Sequence, residues 1–326
     1  MLLFFISLCG IASAVAYRSV DPLVTELARD FSVPVATAAL VSSVYALPYA
    51  LAVVGDKFPP DQRQIAIARF VAAALVGQIC ASSLAGLLAE MINWRFFFYG
   101  AACVTGAAAL GAAFKLAEPR PKDARRIHLM QAYQNYPIIL RNPKSLICYG
   151  AVFLEAIAVF GILPYIAEIL ESHHLGGPKE AGMVIAGLGV GGIIFSLILT
   201  WLVPHVKRSG LLAWGGGLGA AGLLACLIVP QWPLFFALIT LLGFGFGMLH
   251  NTIQTEVSSL APQARAAAFS AHAFCFFLGQ ALGPIIFGLG LHHFGLTPII
   301  VFHGLLLAAV GFGSAYLFAR QSGDLR

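Results

Sequence analysis

A glutamate, Glu155, stands deep inside one of the most apolar stretches of this chain, Ser145 to Leu170. If that stretch crosses a membrane as a helix, a rise of about 1.5 Å per residue puts the carboxyl near the bilayer midplane. A carboxylate costs about 2.5–3.5 kcal/mol there, and such groups face a cavity or a partner. A carboxyl that carries a proton escapes this cost, so Glu155 is a candidate for loading and releasing protons. The plain alternative is a protonated or capped glutamate with a structural role.

Other polar residues interrupt the apolar runs. Arg18 and Asp21 lie three apart, close enough to pair on one helical face. They form either a gate or proton site at the mouth of a cavity, or an ion pair that ends a span. His250, Asn251 and Gln254 form a patch in the run GFGFGMLHNTIQT. They either hydrogen-bond a solute or hold helices together, at about 0.6 kcal/mol each. His272 and His303 are lone histidines in apolar spans, where structural contact outweighs chemistry. The pairs His173-His174 and His292-His293 fall in loops and suggest no metal. The six cysteines are scattered singly, without metal or disulfide spacing.

These residues need a membrane around them. The chain has 326 residues, 60% hydrophobic and 10% charged. A soluble domain has about 25% charged residues. Apolar runs of about 18 or more residues recur, each long enough to cross a ~30 Å hydrocarbon core. They are continuous rather than alternating, which argues against a barrel. The class is therefore all-α integral membrane, and the net charge of +5 reads as topology, not as affinity for nucleic acid. No Walker, HExxH or GxSxG motif is present, so neither ATP drive nor an enzyme has a motif to rest on. No cofactor is implied.

About ten spans can be placed. The first runs from Met1 to about Tyr17, with a polar helical extension to Phe31; a cleaved signal peptide is the alternative reading of this segment. The second covers about 35–54, the third about 65–92, and the fourth about 96–116, after a turn at Asn93-Trp94-Arg95. A polar stretch, Glu118 to Lys144, is read as a linker. Spans five to ten then cover about 145–170, 181–203, 211–229, 234–255, 266–291 and 298–318. Placing the N-terminus inside leaves Arg18, Arg29, Arg95 and Lys179 outside, against the other fifteen of the 19 basic residues. Both termini are therefore expected in the cytoplasm.

The chain also repeats itself. Pro60-Asp-Gln-Arg63 lies on Pro262-Gln-Ala-Arg265 without gaps, an offset of 202 (262 − 60), and Gly77-Gln78 lies on Gly279-Gln280. Earlier, Pro22-Leu-Val-Thr-Glu26 resembles Pro164-Tyr-Ile-Ala-Glu168 at an offset of 142 (164 − 22). Chance likeness is the alternative for this weaker match. If both hold, the jump in offset (202 − 142) makes the first half shorter by two spans with their loops. The shortfall lies in or beside span two. That span then joins the start of one ancestral helix to the end of another.

Two halves of the same orientation, joined by a basic linker, resemble the major facilitator superfamily. Arg18-Ser-Val-Asp21-Pro22 resembles its first-helix pattern in the drug/proton antiporter branch. Gly279-xxx-Gly283-Pro284, continued by Gly288, resembles the antiporter glycine-proline motif. Phe58-Pro-Pro-Asp-Gln-Arg63 resembles the family's loop before the fifth helix, and His250-Asn-Thr-Ile-Gln254 followed by Ala261-Pro-Gln-Ala-Arg265 is similar to bacterial efflux permeases of the arabinose-efflux or multidrug type. The family has twelve helices. Its characteristic loop between helices two and three is absent here, and Ala81-Ser82 replaces Gly-Pro in the first-half copy of the motif.

The resemblance implies two parallel-repeat bundles, 1–117 and 145–326, around linker 118–144. It implies a monomeric, multi-pass protein of the bacterial inner membrane that moves a small solute, drug-like or sugar-like. A proton gradient would drive export by alternating access. Glu155, with Arg18 and Asp21, would couple protons, and His250, Asn251 and Gln254 would line the cavity. Arg63 and Arg265 would sit in equivalent cytoplasmic loops. Uptake uses the same coupling physics and stays open, as does a shortened relic or membrane interaction protein that transports nothing.

Overall fold

Apolar runs of this length leave the backbone one way to satisfy its hydrogen bonds in lipid, the helix. The computed structural model describes residues 20–41, 60–115, 136–228 and 231–322. For 60–75, 108, 109, 111–115, 266 and 322 it describes the backbone alone. Among the described residues there is no strand.

A 3-10 turn, Asp21–Leu23, leads into α1 (Val24–Asp30), and α2 begins over residues 35–41. Two long helices follow, α3 (Pro60–Met91) and α4 (Trp94–Lys115). The second half starts with α5 (Lys144–Phe160), a 3-10 turn at Leu163–Tyr165, and α6 (Ile166–Ser172). It continues with α7 (Pro178–His205), α8 (Arg208–Ala225), α9 (Trp232–Leu260), α10 (Arg265–Phe294) and α11 (Leu296–Ser322). Six stretches of this half are long and apolar enough to cross a membrane, the first taking in α5, the 3-10 turn and α6 from Lys144 to Ser172. Arg18, most of the first two expected spans and most of the linker lie outside the described residues.

The structure moves several expected boundaries. The polar extension expected to Phe31 is helical from Asp21 to Asp30, first as a 3-10 turn and then as α1, and its junction with the first span lies outside the described residues. Pro22 sits at the start of a 3-10 turn, because proline removes an amide donor and clashes with the preceding turn. The turn after α3 is shorter than expected, since the Asn93 side chain accepts the Arg95 amide at 2.9 Å and lets α4 begin at Trp94. Helix α9 runs past Thr255 to Leu260, and the next turn starts at Pro262.

Both repeat offsets appear in the backbone. At 142, Asp21–Leu23 falls on Leu163–Tyr165, and α1 falls on α6 end for end. Ser32 and His174, also 142 apart, carry the two positive φ values found at non-glycine residues among those described, 52° and 55°. At 202, Trp94 opens α4 as Leu296 opens α11. The two crossings between halves are equivalent as well. Gly86 of α3 abuts the Pro178 carbonyl of α7, and Gly288 of α10 abuts Ala36 of α2; both residues of the second pair are the repeat partners of the first.

Ion pairs join the halves at the end of the bundle where α4 begins. Arg29 of α1 pairs with Glu171 of α6, positions that are themselves 142 apart, and Thr25 donates to Glu171 at 3.1 Å. Lys179 stands 4.0 Å from Glu90. Beside them Asp30 accepts Trp94 Nε1 at 2.9 Å and Arg95 Nη1 at 2.8 Å. The opposite end carries Lys144, Arg208, Arg265 and Arg320 and is called here the basic end.

Helix α10 lies on α5 through its glycines. A Cβ at Gly283 would stand 2.9 Å from the Ile157 carbonyl oxygen, and one at Gly279 would strike the Phe153 carbonyl. Tyr165 Oη donates to the Pro284 carbonyl at 3.1 Å. His303 Nδ1 contacts the Ala158 carbonyl at 3.2 Å, which fixes α11 on the same helix.

Two outcomes follow. Gly279→Leu lowers stability in a denaturing-detergent titration by about 1–3 kcal/mol, the scale of forced overpacking. Gly313→Leu, where a Cβ would meet nothing within 4 Å, leaves it unchanged. Equal effects would contradict the close approach. The Trp94 and Arg95 hydrogen bonds hold the Asp30 carboxyl below its ordinary 3.8. Its stabilising contribution is therefore complete above that value and is lost as the pH falls through the lowered one. The stability difference between the protein and Asp30→Asn is constant above about pH 5 and closes below about pH 4. A difference that persists into stronger acid would refute this.

Candidate functional site

The approach of α10 to α5 brings the buried polar groups of three helices together. Glu155 belongs to α5, which starts at Lys144, and His250 to α9, which ends at Leu260. Counted from those two ends at about 1.5 Å per residue, both sit about 15–16 Å from the basic end, near mid-bilayer depth. They meet there: His250 Nδ1 is 3.2 Å from Glu155 Oε2. Glu155 is fully buried, and the His250 side chain is 19% exposed.

His272 of α10 completes the group. Its ring stands edge-on to His250 with centroids 5.1 Å apart. Aromatic rings wall the cluster. Phe246 and Phe276 lie 5.1 and 4.8 Å from the His250 ring, and Phe160 meets both, at 5.4 and 5.6 Å. Phe246 is four residues before His250, and Phe276 four after His272, so each helix presents one ring and one imidazole on a single face.

One proton serves the Glu155–His250 contact. The other carboxyl oxygen, Oε1, is buried without a hydrogen-bond partner among the described residues, and so is His272 Nε2. A buried carboxyl with half its capacity open, set against an imidazole and aromatic faces, can take up a proton, or a solute group that displaces one. Among the described residues no group of three potential ligands could hold a metal.

The remaining sequence candidates separate. Asp21 is buried in its 3-10 turn, where α1 begins. Asn251 and Gln254 lie on α9 and, among the described residues, add no side-chain hydrogen bond to the Glu155 cluster. Arg265 is exposed at the start of α10, and only the backbone of Arg63 is described. His303 belongs to the packing of α11 on α5, away from Glu155.

Sequence reasoning missed two features. One is the phenylalanine wall, whose signal was the four-residue spacing of Phe246 to His250 and of His272 to Phe276. The other is Glu256, buried near the end of α9, which pairs with Arg208 Nε at 2.9 Å and Lys144 Nζ at 3.7 Å. It ties α5, α8 and α9 together at the basic end. Its signal was a carboxylate two helical turns beyond His250, close to the Lys207-Arg208 loop at the same membrane face.

Removing the imidazole strands the carboxyl. A buried polar group without a partner costs about 1–3 kcal/mol. His250→Ala therefore loses about that much stability, and Glu155→Gln combined with it recovers part. If the double variant is as unstable as the sum of the two single ones, the contact carries no energy.

Comparison with known proteins converges on one family. The sequence profile of the Major Facilitator Superfamily matches residues 47–148 and 145–324. Over 250 residues the chain is 29% identical to the multidrug efflux protein YfmO of Bacillus subtilis. That match covers 73% of this chain and 60% of the relative, so the chain spans less than two thirds of YfmO's length. Two crystal structures of a bacterial homologue of the human lysosomal transporter Spinster share the fold. One is inward-facing and unoccupied, with a TM-score of 0.65, and the other inward-facing and occupied, with 0.69. Identity is 14% in both; 98% of this chain is covered, and 97% and 96% of theirs.

Proposed function

We propose that this chain, which belongs to the Major Facilitator Superfamily, is a secondary transporter that exports a small amphipathic solute in exchange for protons. The observation that carries the reading is Glu155: a carboxyl fully buried at mid-membrane depth, with one oxygen on His250 and the other without a partner among the described residues. Ionised groups at that depth are expensive unless they face a cavity or a partner, and proton relays use such carboxyls. The likeness to YfmO supports efflux as the direction.

In this reading the two bundles, 1–117 and 145–326, rock about their interface and are joined by the linker 118–144. Their hinge surfaces are the α3–α7 crossing, where Gly86 lies against the Pro178 carbonyl, and the α2–α10 crossing, where Gly288 faces Ala36. The Arg29–Glu171 and Lys179–Glu90 pairs hold the far end closed and break when it opens. Glu155 takes a proton in one state and yields it in the other, and His250 orients the carboxyl. The phenylalanine wall supplies the apolar face for the solute. The basic end faces the cytoplasm of a bacterial inner membrane, following the fifteen-to-four distribution of Lys and Arg. The proton gradient is the energy source, no cofactor is needed, and the chain is a transporter and not an enzyme.

A second reading has its own support. Between the described start of α2 and the start of α3, the first half holds only 42–59, whereas the repeat partners of that stretch run from 184 to 261. A chain this much shorter in one half would be a folded relic without transport.

Reconstituted vesicles with an imposed proton gradient decide between them. With a panel of amphipathic dyes, the protein supports gradient-dependent flux that Glu155→Gln abolishes while the fold and melting behaviour persist. Flux that survives Glu155→Gln would remove the coupling role. A folded wild-type protein without any gradient-dependent flux would favour the relic.

A further inference from the structure

Helix α10 has two contact faces, and a polar residue stands between them. Gly279 and Gly283 face α5, and Gly288 stands beside Ala36 of α2, in the other half. At about 100° per residue, Gln280 lies between these directions, toward the seam of the two halves. It sits midway along α10, about 22 Å from Arg265 at the basic end. Phe276 is four residues before it and His272 eight, so the three share a stripe that turns slowly toward the seam. Gln280 therefore stands one helical turn beyond the phenylalanine wall.

Packing alone is served better by an apolar side chain at this position. Gln280 is buried, and its Oε1 has no hydrogen-bond partner among the described residues. A buried polar atom left open in this way costs stability. Its main-chain carbonyl has lost a partner as well. In a helix the amide four residues on would bond it, and that residue is Pro284, which has no N–H.

The repeat isolates these features. Gln78 holds the same position in α3. There Ser82 stands in place of Pro284, and its hydroxyl donates to the Gln78 carbonyl at 2.9 Å. Ala74 and Phe70 stand in place of Phe276 and His272. The amide is common to both copies. The aromatic ring one turn before it, and the carbonyl without its helical donor, belong to the second half.

We propose that Gln280 and Phe276 form a solute-recognition subsite, and that the solute is an aromatic compound carrying an uncharged hydrogen-bond donor, such as a carboxamide. The solute ring lies on the phenylalanine wall. Its N–H groups donate to Gln280 Oε1 and to the Gln280 carbonyl. Glutamine offers dipoles and no countercharge, so an ionised group at this depth is left uncompensated. Glu155 lies about 6 Å nearer the basic end, where His250 engages it, which keeps the proton apart from the solute's polar group. The purpose of this subsite rests on the transport reading, but its chemistry does not.

Equilibrium dialysis of tritiated naphthalene compounds against the protein in lipid nanodiscs, with empty nanodiscs as the blank, tests it. The carboxamide 2-naphthamide binds saturably, and tighter than either 2-ethylnaphthalene or the (2-naphthylmethyl)trimethylammonium ion. Gln280→Met weakens the carboxamide about tenfold, the scale of a lost hydrogen bond, and does not weaken the hydrocarbon. Phe276→Ala weakens both, and Gln78→Met neither. Because Gln280 Oε1 has no partner to lose, Gln280→Met leaves the melting temperature equal or higher. No saturable binding of the carboxamide overturns the proposal, as does equal binding by Gln280→Met or tighter binding of the ammonium ion. So does a lower melting temperature in Gln280→Met, which would make the residue structural. Binding needs no proton gradient, which separates the two readings. A protein that binds the carboxamide but supports no flux loses the transport reading alone. Gradient-dependent flux with binding unchanged in Gln280→Met removes this subsite alone.

Discussion

In a bilayer the apolar surface of one helix gains nothing by leaving lipid for another helix, so the fold depends on how closely backbones can approach. Gly279 and Gly283 decide this at the centre of the second half. They let α10 lie against the carbonyls of Phe153 and Ile157, and the depth of that contact brings His272 and Phe276 to the ring of His250, which holds the carboxyl of Glu155. The same device recurs outward. Gly191 and Gly243 seat α7 against α9, Gly215 and Gly245 seat α8 against α9, and Gly216 and Gly311 seat α8 against α11. The buried carboxyl is a consequence of this packing, for only a tightly closed three-helix contact excludes lipid and water from it.

The repeat supplies a second constraint. The two 3-10 turns at Pro22 and Pro164 occupy one repeat position, and α1 and α6, which follow them, then meet across the pseudo-two-fold axis. Arg29 and Glu171 occupy one repeat position but carry opposite charge, so the duplication that placed them together also diverged them into a pair. At the basic end, Glu256 gathers Lys144 and Arg208 within the second half alone. Among the described residues, charge thus joins the halves at one end and ties helices of the second half together at the other.

Much of this was legible in the residues. The apolar runs gave the class, and gap-free matches at 202 located α3 and α4 against α10 and α11. The 142 match rested on few identities, yet it coincides with turns, helix ends and two left-handed residues. Proline and a forced φ leave a stronger imprint on the backbone than on composition. Glu155 stood out because carboxylates are rare in apolar spans. Its partner did not, since His250 is far along the chain, on another helix, and nothing periodic links them. The phenylalanine wall was half legible: the four-residue spacings of Phe246 to His250 and of His272 to Phe276 are local, but nothing local joins those two helices or brings Phe160 to them. Helix boundaries shifted where a single side chain capped an end, as Asn93 does for α4.

The coupling role requires that Glu155 hold an exchangeable proton inside the membrane. Infrared difference spectroscopy of the protein in lipid, recorded across a pH titration, reads this directly. The account predicts a carboxyl C=O band that appears and disappears reversibly with pH, shifts on exchange into heavy water, and is missing from Glu155→Gln. Identical difference spectra for the protein and Glu155→Gln would contradict it. They would leave Glu155 a structural residue of the three-helix contact.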